Sequence, residues 1–106
     1  MATYLYQIQP TREGFMLEST PEEDRIVAEH FRYLQELTEQ DIVLLAGRTL
    51  NTDPSSFGIV IFRAEDEDEA RGILDGDPAV KAGVFRGEVF PYGIALVSAA
   101  ILPADS

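Results

Sequence analysis

Apolar and polar residues alternate from Thr3 to Gln9: Tyr4, Tyr6 and Ile8 fall on one side, Thr3, Leu5, Gln7 and Gln9 on the other. That period of two predicts a half-buried strand, and Pro10 stops it. Thr11 to Ser19 reads as a loop containing Gly14, with Phe15, Met16 and Leu17 exposed unless they cover something. The spacing then changes. Ile26, Val27, Phe31, Leu34 and Leu37 recur at helical intervals. Thr20-Pro21-Glu22-Glu23 supplies the start, with Thr20 as N-cap, Pro21 at the first helical position and Glu23 closing a capping box. The helix is expected to run to Glu39 or Gln40.

Ile42 to Arg48 and Phe57 to Arg63 are short apolar runs, separated by a turn at Thr49 to Ser56. The second is apolar on both sides, as an internal strand is. Glu65 to Glu69 is acidic throughout and predicts a solvated first helical turn, where acids complement the positive end of the macrodipole. Ala70, Ile73 and Leu74 form the apolar edge of this short helix, and Gly76 is its stop. Asp77-Pro78 predicts an N-cap and first position of one further turn, ending near Gly83. Val84 to Val97 reads as a long strand in which Pro91 demands an edge, a bulge or a break. From about Ser98 to Ser106 a tail is expected.

The order β-α-β-β-α-β is that of the ferredoxin-like α+β unit, a four-stranded antiparallel sheet with two helices on one face. The other face is then uncovered in a single chain. It is expected to carry Tyr or Phe side chains, which predicts a homodimer packed sheet to sheet.

Composition narrows the function. At 106 residues the chain predicts a single domain spanning 1–106. A formal net charge of -11 opposes binding to nucleic acid or to anionic membranes. With no cysteine and a single histidine, thiolate catalysis, cysteine-ligated metals and sites of two imidazoles within one chain are excluded. No apolar run approaches the roughly 20 residues of a membrane span, and Met1 to Tyr6 lacks the pattern of a signal peptide. A cytoplasmic protein is expected. No Gly-rich phosphate loop, nucleophile elbow or paired-histidine metal helix occurs. No metal and no cofactor are expected.

His30 lies in the middle of the helix stripe that should face the sheet. At about 100° per residue, Ile26, Tyr33 and Leu37 flank it on one side, Val27 and Leu34 on the other. An imidazole there needs a hydrogen-bond partner. One reading is a buried neutral ring bonded to a backbone carbonyl. The other is a general acid/base lining a pocket, chemistry suited to a group whose ordinary pKa is near 6.5. Asp77, at a chain reversal beside Gly76, is the candidate that would fix the tautomer; it also reads as a plain helix N-cap, and one carboxylate can do both. Arg48, at the end of the second strand, is a surface cation or the anchor of a carboxylate-bearing ligand. Arg12 and Arg25 are weaker candidates for that anchor. Tyr6 is a possible hydrogen-bond donor in a pocket, or a core residue.

Glu29-His30-Phe31-Arg32-Tyr33-Leu34, Ala46-Gly47, Phe57-Gly58-Ile59-Val60 and the run from Asp77-Pro78 to Val84-Phe85 together resemble the YCII-related family. The resemblance extends from about Tyr4 to Leu96. It implies a ferredoxin-like chain in a dimeric α/β barrel with a site around a His–Asp pair, here His30 and Asp77. Most members have no assigned reaction. One characterised member removes chloride from a chlorinated hydroxymuconate. The sequence departs from the family where many members have proline after Ala-Gly, since Arg48 stands there, and in its long Thr11–Ser19 loop.

Two functions follow. In one, the protein is a cofactor-free proton-transfer enzyme of lyase or isomerase type acting on a small anionic metabolite. In the other, it is a small-ligand-binding or regulatory module in which the His–Asp pair is structural. A cofactor-independent oxygenase is a third reading, by fold analogy alone.

Overall fold

The computed structural model describes residues 1–101; the part of the expected tail from 102 to 106 lies outside the described residues. The elements in chain order are β1 (Ala2–Pro10), α1 (Pro21–Glu39), β2 (Val43–Arg48), β3 (Gly58–Ala64), α2 (Glu67–Asp75), α3 (Pro78–Lys81) and β4 (Phe85–Pro91). The four strands form one antiparallel sheet in the order β2-β3-β1-β4. This is the ferredoxin-like arrangement, with α3 as one added turn after α2. β3 lies between β2 and β1, which explains why both of its faces are apolar.

Register assigns the faces. Tyr6 pairs with Val60 on one side and Val89 on the other, and Tyr4 pairs with Phe62. These side chains meet the helices, joined by Ile8, Leu34, Val43, Ala70 and Leu74 in the main core. Phe62 has no exposed surface and packs against the rings of Tyr4 and Tyr6. The other face carries Leu5, Leu45, Ile59, Ile61 and Phe90 by the same alternation. Only Phe90 there is aromatic; both strand-β1 tyrosines belong to the helix side.

Local signals act where local physics decides. The α1 capping box is complete: the Thr20 hydroxyl accepts from the Glu23 N–H, and the Glu23 carboxylate accepts from the Thr20 N–H. Asp66 caps α2, so the helix begins inside the acidic run, and its last turn closes on Gly76. Three expectations give way to tertiary context. β4 ends at Pro91 instead of continuing to Val97, because the chain leaves the sheet once Tyr92 has bonded Thr3. β4 is an edge strand, which is where proline is tolerated. The tail holds a 3₁₀ turn at Ala99–Ile101. Phe31, counted with the buried stripe of α1, is exposed, because it lies about 100° round the helix from His30. Phe15 and Met16 are half-buried, and Phe15 meets Phe85 edge-on; Leu17 is exposed. No described helix is long and apolar enough to cross a membrane.

The Thr11–Ser19 loop is tied to α1 by Arg12. Its Nε and Nη2 donate to the two oxygens of Glu23 at 2.9 and 2.7 Å, and Nη2 also reaches the Glu18 carbonyl at 2.6 Å. The Arg12 guanidinium, followed by the Thr20 N–H, holds the Glu23 carboxyl at about 2. A depressed carboxyl stabilises the fold above its unfolded value of 4.5 and loses that contribution as pH falls through about 2. Arg12→Ala is therefore expected to raise the Glu23 midpoint, read by carboxyl-carbon NMR, toward the ordinary carboxylate range; an unchanged midpoint would contradict the assignment. Phe62→Ala is expected to cost about 3–5 kcal/mol in urea unfolding, as for an aromatic ring deleted from a closed core.

Candidate functional site

Asp77 follows the last turn of α2 directly, and its side chain has no exposed surface. A carboxylate so placed needs its lone pairs filled. Three donors fill them. The Ala79 N–H reaches Oδ1 at 2.9 Å and makes Asp77 the N-cap of α3. The Tyr6 hydroxyl, from the middle of β1, reaches Oδ2 at 2.8 Å. His30 Nδ1, from α1, lies 2.8 Å from Oδ1 and 2.7 Å from Oδ2. The imidazole is thus bonded to a carboxylate, not to a backbone carbonyl.

This contact sets the tautomer. An ionised carboxylate only accepts, so the proton of the neutral ring sits on Nδ1 and Nε2 carries the lone pair. No described residue hydrogen-bonds Nε2. Among the described residues every fully enclosed side-chain N or O has a partner, so Nε2 is reached from outside. The His30 side chain keeps 12% of its exposure. The ring packs against Phe85 in a T-shaped arrangement, 5.3 Å between centroids.

His30 opens into a cleft of about 970 Å³ between α1 and the β2–β3 end of the sheet. Val27, Phe31 and Leu34 form the helix wall, Phe15 and Met16 come from the first loop, and Ala46, Arg48 and Gly58 come from the strands. The cleft exists because small residues stand on the helix-facing side there: Ala46 opposite Val60, and Gly58 opposite Arg48. The Ala46-Gly47 and Gly58 signals were visible in the chain, but nothing local said that they would leave a void beside His30.

The sequence-predicted residues separate into groups. His30 and Asp77 come together, and Arg48 lines the same cleft with an exposed side chain and no carboxylate partner among the described residues. Tyr6 is fully buried and faces Asp77, so it serves the carboxylate and does not line the cleft. Burial and then the Asp77 charge push its phenol well above its ordinary value, which keeps it a donor. Arg12 does not line the cleft; its Nε and Nη2 donate to Glu23 and Glu18. Arg25 pairs with Glu22 and Glu29 along the exposed face of α1. No three described His, Asp or Glu side chains are grouped as metal ligands.

Comparison with known proteins agrees with the architecture. The family model described as the YCII-related domain matches residues 3–92. No curated protein matches the chain significantly. Among solved structures, 5-chloro-2-hydroxyhydroquinone dehydrochlorinase (TftG) from Burkholderia phenoliruptrix AC1100, in complex with 2,5-dihydroxybenzoquinone, superposes with a TM-score of 0.63 at 23% identity, covering 85% of this chain and 93% of that one. An uncharacterised protein, TM1266 from Thermotoga maritima, gives 0.52 at 12% identity over 86% and 95% of the two chains. The cofactor-independent oxygenase SnoaB from Streptomyces nogalater, in a mutant form, gives 0.50 at 14% identity over 92% and 96%. At such identities the likeness is one of fold.

Tyr6→Phe keeps the ring in the core and removes one donor from a buried carboxylate. It is expected to cost about 1.5–3 kcal/mol in urea unfolding, the range for hydrogen bonds to charged groups. A cost below about 0.5 kcal/mol, the level of an ordinary surface change, would show that the bond does not hold Asp77.

Proposed function

We propose, from the premise that the chain belongs to the YCII-related family, that it is a proton-transfer enzyme of lyase or isomerase type, acting in the His30 cleft on a small, anionic, unsaturated metabolite. The observation that carries this reading is the asymmetry of His30: one nitrogen is fixed by a buried carboxylate and the other is free and faces an open, largely apolar cleft.

In the proposed step, Nε2 takes a proton from a carbon next to a carbonyl, and the C–H electrons pass onto the carbonyl oxygen as an enolate. The ring becomes cationic, and Asp77 stabilises that cation through Nδ1–H. Arg48 is assigned to a carboxylate of the substrate, which it can grip with two parallel donors. The enolate then either takes the proton back at another carbon, an isomerisation, or expels a leaving group from the neighbouring carbon, an elimination. In the isomerisation the ring gives its proton back; in the elimination the leaving group departs with its bonding pair and the protonated ring releases its proton to solvent water, which restores the base. The dehydrochlorinase activity named for the Burkholderia protein belongs to that protein; here it makes elimination the first reaction to try. The apolar sheet face of Leu5, Leu45, Ile59, Ile61 and Phe90 supports a homodimer packed sheet to sheet, as a light-scattering mass of two chains would show.

One observation favours the alternative, a ligand-binding module with a structural pair. The carboxylate ties β1, α1 and α3 together whatever its chemistry. The test is a panel of unsaturated hydroxy acids and hydroxyquinones, followed by NMR for hydrogen–deuterium exchange at carbon and for loss of a leaving group. On a compound that the protein converts, His30→Ala is expected to lose about 10²–10⁴ in rate, while Arg48→Gln mainly raises KM. Full turnover by His30→Ala would refute the mechanism. Tight binding of a panel member without conversion would favour the module.

A further inference from the structure

Helix α1 grips the α2–α3 junction at two points one helical turn apart. His30 holds Asp77, as described. Tyr33, three residues on, donates its hydroxyl to the Ile73 carbonyl at 2.6 Å. Ile73 lies in the last turn of α2, whose carbonyls have no partner within the helix. The Tyr33 bond therefore fills an acceptor that would otherwise go to water, and pins the end of α2 to α1.

Gly76, between Ile73 and Asp77, rests on that same hydroxyl. A Cβ at Gly76 would lie 2.9 Å from the Tyr33 oxygen and 3.1 Å from the Gly72 carbonyl. The backbone there is right-handed helical, at φ -79° and ψ -11°, which any residue adopts. The glycine thus leaves room for the Tyr33 hydroxyl, which a side chain here would have to displace, and is not called for by its own conformation. Asp77 comes next, with its N–H bonded to the Leu74 carbonyl at 3.1 Å. Its carboxylate is carried on the turn that Tyr33 holds down.

We propose that Tyr33, seated against Gly76, is a positioning residue that sets the reach of Asp77 to His30 Nδ1 and so the tautomer of the ring. The reading deepens the proton-transfer proposal, because a base displaced by about 1 Å can lose about 10² in rate. Burial, and then the nearby Asp77 charge, push the Tyr33 phenol up to about 12, so it remains a donor across the neutral range.

The chain has one histidine, so its imidazole nitrogens can be read by NMR without ambiguity in the full-length protein, and no turnover is needed. The folded protein is expected to show Nδ1 protonated and Nε2 bare. Tyr33→Phe removes only the hydroxyl and is expected to shift both nitrogens toward the mixed-tautomer values of an unrestrained imidazole. Gly76→Ala, which pushes the hydroxyl away, is expected to shift them in the same sense. The double variant should shift them no further than the larger single change, because both act on one contact. Val43→Ala, a cavity in the core on β2, is expected to lower the melting temperature and leave the nitrogens in place. If Tyr33→Phe lowers the melting temperature while both nitrogens keep the wild-type values, Tyr33 is a brace for the fold and the proposal is overturned. Absence of turnover on every compound tried would leave these nitrogen shifts unaffected and would count only against the proton-transfer reading.

Discussion

A carboxylate with no exposed surface, supplied with three donors from three different elements, is the constraint around which this fold is arranged. An isolated buried charge costs several kcal/mol, and the cost is offset only when its hydrogen-bonding capacity is filled in good geometry. Tyr6 brings β1 to it, His30 brings α1, and the Ala79 N–H brings the turn of α3. Each of these elements is placed by its own packing, so Asp77 reads their relative positions. The same bonds that satisfy the charge orient the imidazole.

The cleft follows from what is missing around that centre. Along most of β3 and β1, side chains of the size of Phe62 and Tyr6 fill the space between sheet and helices. Toward the far end of β2 the helix-facing positions hold Ala46 and, across on β3, Gly58. Helix α1 cannot close on so little volume, and the first loop, clamped by Arg12 to Glu23, covers only part of the gap with Phe15 and Met16. Small residues on one wall and a fixed ring on the other leave an open space beside His30. Arg48 lines that space, exposed and without a carboxylate partner among the described residues.

Much of the scaffold was legible because local physics decided it. The Thr20-Pro21-Glu23 helix start, the alternation of β1 and the Asp77-Pro78 cap each depend on residues within a few positions of one another. The internal place of β3 was legible from apolar residues on both faces. Features set by distant partners were not. The β-like pattern after Pro91 pairs with nothing beyond Thr3, so the strand ends. Arg12 looked free for a ligand because Glu23 is 11 residues away. Tyr6 looked like a pocket donor or a core residue, and its role as a bond to Asp77 spans 71 positions. The apolar stripe showed only that the His30 imidazole needs a partner, with a backbone carbonyl and Asp77 both open; the pair with Asp77 is what the resemblance to the YCII-related family implied. Tyr33 and Gly76 carried no such signal: a tyrosine on a helix and a glycine after one are each ordinary, and only their contact is informative.

One nitrogen of His30 is held by Asp77 and the other is presented, bare, to the cleft. Carbethoxylation of the single histidine, mapped by mass spectrometry and NMR, reads this directly, since the reagent attacks an unprotonated, accessible imidazole nitrogen. Modification of the folded protein is expected at Nε2. Modification only after unfolding, or at Nδ1, would contradict it.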